Sequence, residues 1–477
     1  MSLKKKTASA LIWNLIDKVG TQIAYFITGI ILADLLSVSD FGLVGMLSIF
    51  IFLSTIFIDG GFSSALIRKQ NTTDRDYSTV FYLNMGVSIL LYLILFFLAP
   101  WIAGYYNQPE LVPVARVIFL SLIFNSAGII QNALYAKMIN FKVQTITNII
   151  SIVFSGGIAL LMAWKGFGVW AIVYQTVSLS IIKAGLLWIV SSWRPRLVFD
   201  MECVKSLFGF SSYLLLSQLI GAVQSIYPMV LGRHFSVNAV GFYTQAQKMS
   251  DMAISTLNTP IQSALYPVLS SINDEQERLT NAFRKTVHFA CFISFLFLPM
   301  LAITARPFLL IILGEKWYNS IDFLQILSIC GIFSIITSLV NNFLRVIGNS
   351  KGLFLVETVK AIIVFALLIL TLPYGVYYVV LSQLISRFFI CIFSMYYTAL
   401  KTDYSFKMQL QDITPYLILS VISTLIVLSL QLFTSNIWIL FFVQNALYLI
   451  VYIGLSYTKE NRILKDVIQI IKSKRNG

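Results

Sequence analysis

Charge is what this sequence lacks most. Only 11% of its 477 residues are Asp, Glu, Lys or Arg, against about 25% in an average soluble protein. That scarcity excludes a soluble globular chain of this length. Cysteine and histidine are scarce too. Cys203, Cys291, Cys330 and Cys391 have no metal-like spacing, and the last three fall inside apolar runs. They read as reduced packing residues rather than a disulfide framework. His234 and His288 have no partner at ligand spacing, and no Gly-x-x-x-x-Gly-Lys-Ser/Thr loop for ATP hydrolysis occurs. The short alternating segments of a membrane β-barrel are missing as well. Loops between the apolar runs are too short for a catalytic domain. The residues therefore imply neither an enzyme nor a cofactor.

What is present is apolar length. Hydrophobic residues make up 58% of the chain, and runs of about 20 or more cross a hydrocarbon core of ~30 Å. Turn-rich breaks such as "YYNQPELVP" (105–113) and "IGNSKG" (347–352) divide the sequence into fourteen predicted helices. Their limits are 8–36, 40–67, 77–104, 112–137, 143–164, 168–191, 206–232, 238–270, 283–313, 318–346, 351–373, 375–400, 413–434 and 436–457; we number them spans 1 to 14. The fold class expected is an all-α polytopic membrane protein. Span 1 follows Lys4–Lys6 directly and is too long for a cleaved leader, so it reads as retained.

Lys and Arg orient the spans, because basic loops stay cytoplasmic. With the N-terminus inside, 24 of the 34 basic residues fall on inner loops and tails and only 3 on outer ones. Both termini are expected in the cytoplasm. The formal charge of +14 then faces anionic lipid, and no nucleic-acid partner is needed. The tail 459–477 carries an apolar stripe (Ile463, Leu464, Val467, Ile468, Ile470, Ile471) flanked by cations, the pattern of an amphipathic helix on the membrane surface.

An internal repeat organises the chain. "SVSDFGL" (37–43) returns as "SVNAVGF" (236–242), and "SSAL" (63–66) as "QSAL" (262–265), both at an offset of 199 residues. The offset covers six spans, an even number, so both copies cross the membrane in one direction as parallel repeats. The expected organisation is an N-lobe of six spans at 1–192, an inter-lobe loop at 193–205, and a C-lobe of six spans at 206–400. An added pair follows at 413–457. Gly42 and Gly241 share one position of the repeat, where glycine permits tight packing or a positive φ.

Ionisable groups inside a membrane are costly and usually functional. Helix-period spacing places Thr244, Lys248, Asp251, Ser255, Asn258 or Thr259, and Gln262 on one polar stripe along span 8. Span 1 repeats the pattern with Asn14, Lys18, Thr21, Tyr25 and Thr28. Span 7 adds Gln224, Ser225 and Pro228, and span 2 adds Ser48, Thr55, Asp59 and Ser63. Asp59 falls on Asn258 under the offset. The remaining cations in spans are Arg116, Lys183, Arg306, Lys360 and Arg387; the anions are Asp17, Asp59, Asp251 and Glu357, with Asp34 near an outer end. Lys248–Asp251 and Glu357–Lys360 each stand three apart, the spacing of ion pairs within one helix. The expectation is a water-filled cavity lined by spans 1, 2, 7 and 8.

Ordered blocks carry a resemblance. "FGLVGMLSIFIFLSTIFIDGGFSSALIRK" (41–69), "DYSTVFYLN" (76–84), "YNQPELVPVARV" (106–117), "GVWAIVYQ" (168–175), "VGFYTQAQKMSD" (240–251) and "LGEKWYNSIDFLQIL" (313–327) resemble Wzx-type polysaccharide flippases of the MOP superfamily, nearest the colanic-acid-exporter group. The resemblance implies two pseudo-symmetric six-helix lobes plus two helices. It also implies transfer of an undecaprenyl-diphosphate-linked oligosaccharide across the bacterial inner membrane by alternating access. Under it, Lys18, Lys248, Lys360 and Arg387 would contact the diphosphate. Gln22, Tyr25, Gln224, Gln245, Asn258 and Gln262 would take sugar hydroxyls. Asp17, Asp59 or Asp251 would bind a coupling proton or sodium ion, membrane voltage being the alternative. A polymerase or export complex is the partner implied beyond lipid and substrate. A MATE-like drug antiporter or a non-transporting scaffold of glycan assembly would be the rival functions.

Overall fold

In the computed structural model, which describes residues 3–270, 272, 275–429 and 436–458, every regular element is helical. Among the described residues, thirteen helices are long and apolar enough to cross a membrane. Span 8, the helix Val237–Ser270, is the longest at 34 residues yet stands outside that group, consistent with its polar stripe. The count of fourteen therefore rests on length at this helix and not on apolarity. The tail 459–477 lies outside the described residues.

Local chemistry ends the helices where the sequence punctuates them. Ser37 caps Val38–Asp59 in a reciprocal box with Asp40, and Thr73 caps Asp74–Tyr106 with Asp76. Such boxes satisfy two of the backbone N–H groups left open at a helix start. Asn107 and Gly60 close helices in the left-handed region. Several spans are broken rather than straight. Span 2 is Val38–Asp59 followed by Phe62–Arg68, and span 7 is Met201–Gly221, a 3₁₀ turn Ala222–Ile226, then Tyr227–His234.

The chain forms two compact units, Met1–Thr244 and Gln245–Gly477. In the first, spans 1, 5 and 6 pack in sequence, span 4 packs on spans 3 and 6, and Met201–Gly221 leans on spans 2 and 3. The connector before it is tied to the start of span 3. Arg196 pairs with Asp74 at 2.9 Å and Asp200 with Arg75 at 3.1 Å. The backbone N–H groups of Arg196 and Asp200 donate to Ser78 and Thr79. In the second unit, span 10 (Glu315–Val346) is the enclosed centre, 67% buried against 17% for Lys351–Tyr374. Phe283 stacks on Phe343 there at 4.2 Å, a contact worth about 0.5–1.5 kcal/mol beyond area burial. Exposed Phe97, Trp164, Ile189 and Ile369 put apolar surface outward, as helices bathed in lipid require.

The repeat appears in space as a reciprocal crossing. A Cβ on Gly42 would stand 2.1 Å from the carbonyl oxygen of Val237, and one on Gly241 would stand 2.2 Å from that of Val38. Val38 and Val237 are themselves 199 residues apart. Neither glycine has a positive φ, so each is there for close approach. Ser236 caps span 8 by accepting from the N–H of Ala239 at 3.1 Å, as Ser37 accepts from Asp40 at 3.2 Å.

Candidate functional site

Span 1 separates its faces cleanly. Ile12, Ile16, Val19, Ile23 and Ile27 are exposed and form one apolar stripe. At about 100° per residue, Asn14, Lys18, Thr21 and Tyr25 lie on the other side. Lys18 is exposed; Asp17, Gln22 and Tyr25 are half-buried. The Asp17 carboxylate accepts from Asn148 Nδ2 of span 5 at 3.0 Å, and Thr21 donates to the Asp17 carbonyl at 2.6 Å. Lys183 of span 6 lies within Coulombic range of both Asp17 and Lys18. Gln224 stands half-buried in the 3₁₀ turn that interrupts span 7. Asp59 accepts from the side chain and the backbone N–H of Ser63.

The second unit carries the rest. Lys248 is half-buried and makes no ion pair among the described residues. The pairing that the three-residue spacing offered with Asp251 is absent. Asp251 is exposed and hydrogen-bonded by Gln247, with Arg387 of span 12 within Coulombic range. Arg387 donates to Ser334 of span 10 at 2.6 Å. Asn258 and Gln262 share Ser338: Gln262 Nε2 donates to its hydroxyl at 2.9 Å and to Asn258 Oδ1 at 3.1 Å. Lys360 behaves differently from Lys248, because its ammonium is held by Glu357 on the same helix. Gln245 stands apart from the other amides. It sits about 100° round the helix from the stripe, is only 1% exposed, and has neither amide atom hydrogen-bonded.

One cluster escaped the sequence reading. Arg284 of span 9 grips Asp412 with two hydrogen bonds of 2.8 Å. Tyr404 donates to the same carboxylate at 2.8 Å, and His288 Nε2 lies 3.2 Å from it. Burial, with Asp412 beside it, holds the Tyr404 hydroxyl well above its ordinary pKa. The four residues fasten span 13 to span 9. Span 13 was expected to start at 413, one residue too late to count Asp412, whereas the helix begins at Phe406. A buried carboxylate in an apolar span demands a cation, and Arg284 and His288, four apart on one face, were the signal.

Together these groups give two sets of cations, one per unit, set among amides and hydroxyls: Lys18, exposed, with half-buried Lys183 in the first, and half-buried Lys248, Arg387 and Lys360 in the second. Such surfaces suit a polar anion better than a drug cation. Comparison with known proteins agrees with a role in glycan assembly. The family described as "Polysaccharide biosynthesis protein" matches residues 31–322, more than half of the chain. Teichuronic acid biosynthesis protein TuaB of Bacillus subtilis is 25% identical over 76% of this chain and 74% of its own. Succinoglycan biosynthesis transport protein ExoT of Rhizobium meliloti is 26% identical over 73% and 71%. Lipopolysaccharide biosynthesis protein WzxC of Escherichia coli K12 is 24% identical over 76% and 73%. Among solved structures, lipid II flippase MurJ in an inward closed conformation superposes with a TM-score of 0.80 at 16% identity, covering 95% of this chain and 99% of that one. An inward-facing MATE transporter of the MOP superfamily gives 0.61 at 16%, over 82% and 94%. On the MOP fold, then, this chain is a member of the polysaccharide biosynthesis protein family.

Proposed function

We propose that the chain flips a polyprenyl-diphosphate-linked oligosaccharide from the cytoplasmic to the outer leaflet of a bacterial inner membrane by alternating access. Its termini are cytoplasmic, and 1–192 and 206–400 are the moving lobes. The observation that carries the reading is Lys248: a half-buried cation without an ion pair among the described residues, on a polar stripe in a membrane helix. Pulling a diphosphate and several sugars through hydrocarbon strands many hydrogen-bonding groups. Lys18 with Gln22, Tyr25 and Gln224 in the first unit, and Lys248 and Arg387 with Asn258 and Gln262 in the second, replace that lost hydration while the lipid tail stays in the bilayer. Lys360, already paired, contributes less. Coupling to a proton or sodium ion at Asp17, Asp59 or Asp251, or to voltage, belongs to the same proposal, as does contact with a glycan polymerase or export complex. The names of TuaB, ExoT and WzxC support a glycan substrate. The higher TM-score to MurJ than to MATE favours a lipid-linked cargo over a drug.

The test is leaflet transfer of undecaprenyl-diphosphate-linked oligosaccharide by purified protein in liposomes. Wild type should transfer it, and Lys248→Ala should slow transfer at least about tenfold, the factor that 1.4 kcal/mol represents. Export of polysaccharide by cells should fail in parallel, with the variant still present in the membrane. Equal transfer by the two proteins would remove Lys248 from the site. No transfer by wild type would reject the flippase reading.

A further inference from the structure

Three charged groups and one amide of the Met1–Thr244 unit share one depth. Asn148 stands seven residues inside Phe141–Trp164 and Lys183 seven before the end of Val169–Val190, and the bond from Asn148 brings Asp17 of the helix Leu3–Leu35 to that level. At 1.5 Å per residue Asn148 and Lys183 lie roughly 10 Å from adjoining ends of two packed helices, span 5 packs on span 1 as well, and Lys183 lies within Coulombic range of Asp17 and Lys18. Neither lysine lies on its helix's exposed apolar stripe. Lys18 is about 140° round span 1 from the isoleucine stripe, and Lys183 is nearly opposite exposed Ile181 and Tyr174 on span 6.

The cluster holds two cations and one anion, and none of them forms an ion pair closer than 4 Å among the described residues. Asn148 holds the Asp17 carboxylate in place from the side. A net positive charge at membrane depth without a counter-ion in contact calls for a second anion. We infer that Lys183 is a further cationic contact for the diphosphate of the cargo, and that Asp17 is a resident anion competing with that diphosphate for the two lysines. The inference rests on the flippase reading and extends it in two ways. It adds a residue of span 6 to the site, and it gives Asp17 a role distinct from ion coupling. When the diphosphate arrives, Lys18 and Lys183 turn to it and Asp17 keeps only its bond from Asn148. When it leaves, Asp17 neutralises part of the emptied site and so lowers the cost of the unloaded state.

The competition makes opposite signs for two neighbouring substitutions. The experiment is titration of the full-length protein in nanodiscs with undecaprenyl diphosphate, read by native mass spectrometry, with undecaprenyl monophosphate as the second probe. Lys183→Ala should weaken diphosphate binding about tenfold and monophosphate binding less, and Lys183→Arg should restore it. Asp17→Asn, which keeps an oxygen for Asn148, should tighten binding about threefold. A merely structural cluster would weaken binding in both variants, and that result overturns the inference, as does unchanged binding in Lys183→Ala. Either of those outcomes leaves wild-type binding and the flippase reading standing. Absence of diphosphate binding by wild type overturns both together.

Discussion

Spans 2 and 8 are two copies of one helix, and they differ where the sequence would least suggest it. Both begin with a serine cap, both cross the other through a glycine, and both place a polar pair four residues apart at one position: Asp59 with Ser63, Asn258 with Gln262. One residue on, they part. Span 2 stops at Gly60 and Gly61, both left-handed with φ of 53° and 80°, and restarts at Phe62. Span 8 meets Thr259 and Pro260 at the equivalent positions and continues unbroken to Ser270. The difference teaches that duplication retained the crossing and the depth of the polar pair, while the backbone beyond was free to diverge.

The largest expected effect attacks what the copies share. Gly42→Ala and Gly241→Ala each drive a methyl into a backbone carbonyl that has no rotamer to escape by. Each should cost at least about 3 kcal/mol, the upper part of the usual overpacking range, read as a lowered thermal midpoint in detergent. Gly157→Ala, with nothing within 4 Å of its Cβ, should leave the midpoint unchanged or slightly raised. Because both contacts belong to one crossing, the double variant should cost less than the two singles summed. Full additivity would break the claim of a shared contact.

Next in size are the residues at which the copies differ. Gly60→Ala places a side chain at positive φ and should cost about 1–2 kcal/mol. Gly61→Ala should cost more, since its Cβ also meets Leu214 at 2.9 Å. Pro260→Ala restores an N–H to a continuous helix and should be neutral or stabilising. A costly Pro260→Ala would show that the proline is needed for shape and that the copies are more alike than their backbones. The smallest effect belongs to Asp59→Asn, which makes span 2 resemble span 8. It retains an oxygen for Ser63 and should shift stability by less than about 1 kcal/mol. A change in the pH dependence of transfer, with stability unchanged, would mark Asp59 as an ion-coupling group and sharpen the contrast with Asn258.

Much of this was legible in residues alone. Lys18 and Lys248 stood out because a charge in an apolar run is conspicuous, and period 3.6 then assigns it a face. Gly42 and Gly241 stood out because the offset placed them on one position, although tight packing and positive φ were equally open until the crossing was seen. Lys183 was visible as a cation but not as a partner, because nothing in spans 1 and 6 announces that Asp17 and Lys183 share a depth. Asp412 was lost to a boundary drawn one residue late, Arg284 was only one of the 24 inner basic residues, and His288 was read as an isolated ring.

Period and composition by themselves determined the membrane class, the polar stripes and the duplication, since each is a local property of hydropathy or a comparison of the chain with itself. Only the tertiary structure decided which charges are paired. Glu357 holds Lys360, whereas Asp251, at the same three-residue spacing, does not hold Lys248. Spacing along a helix gives an ion pair its opportunity. What else acts on a carboxylate comes from helices far away in sequence, Arg387 within Coulombic range of Asp251 and Asn148 hydrogen-bonded to Asp17, and their approach is set by packing.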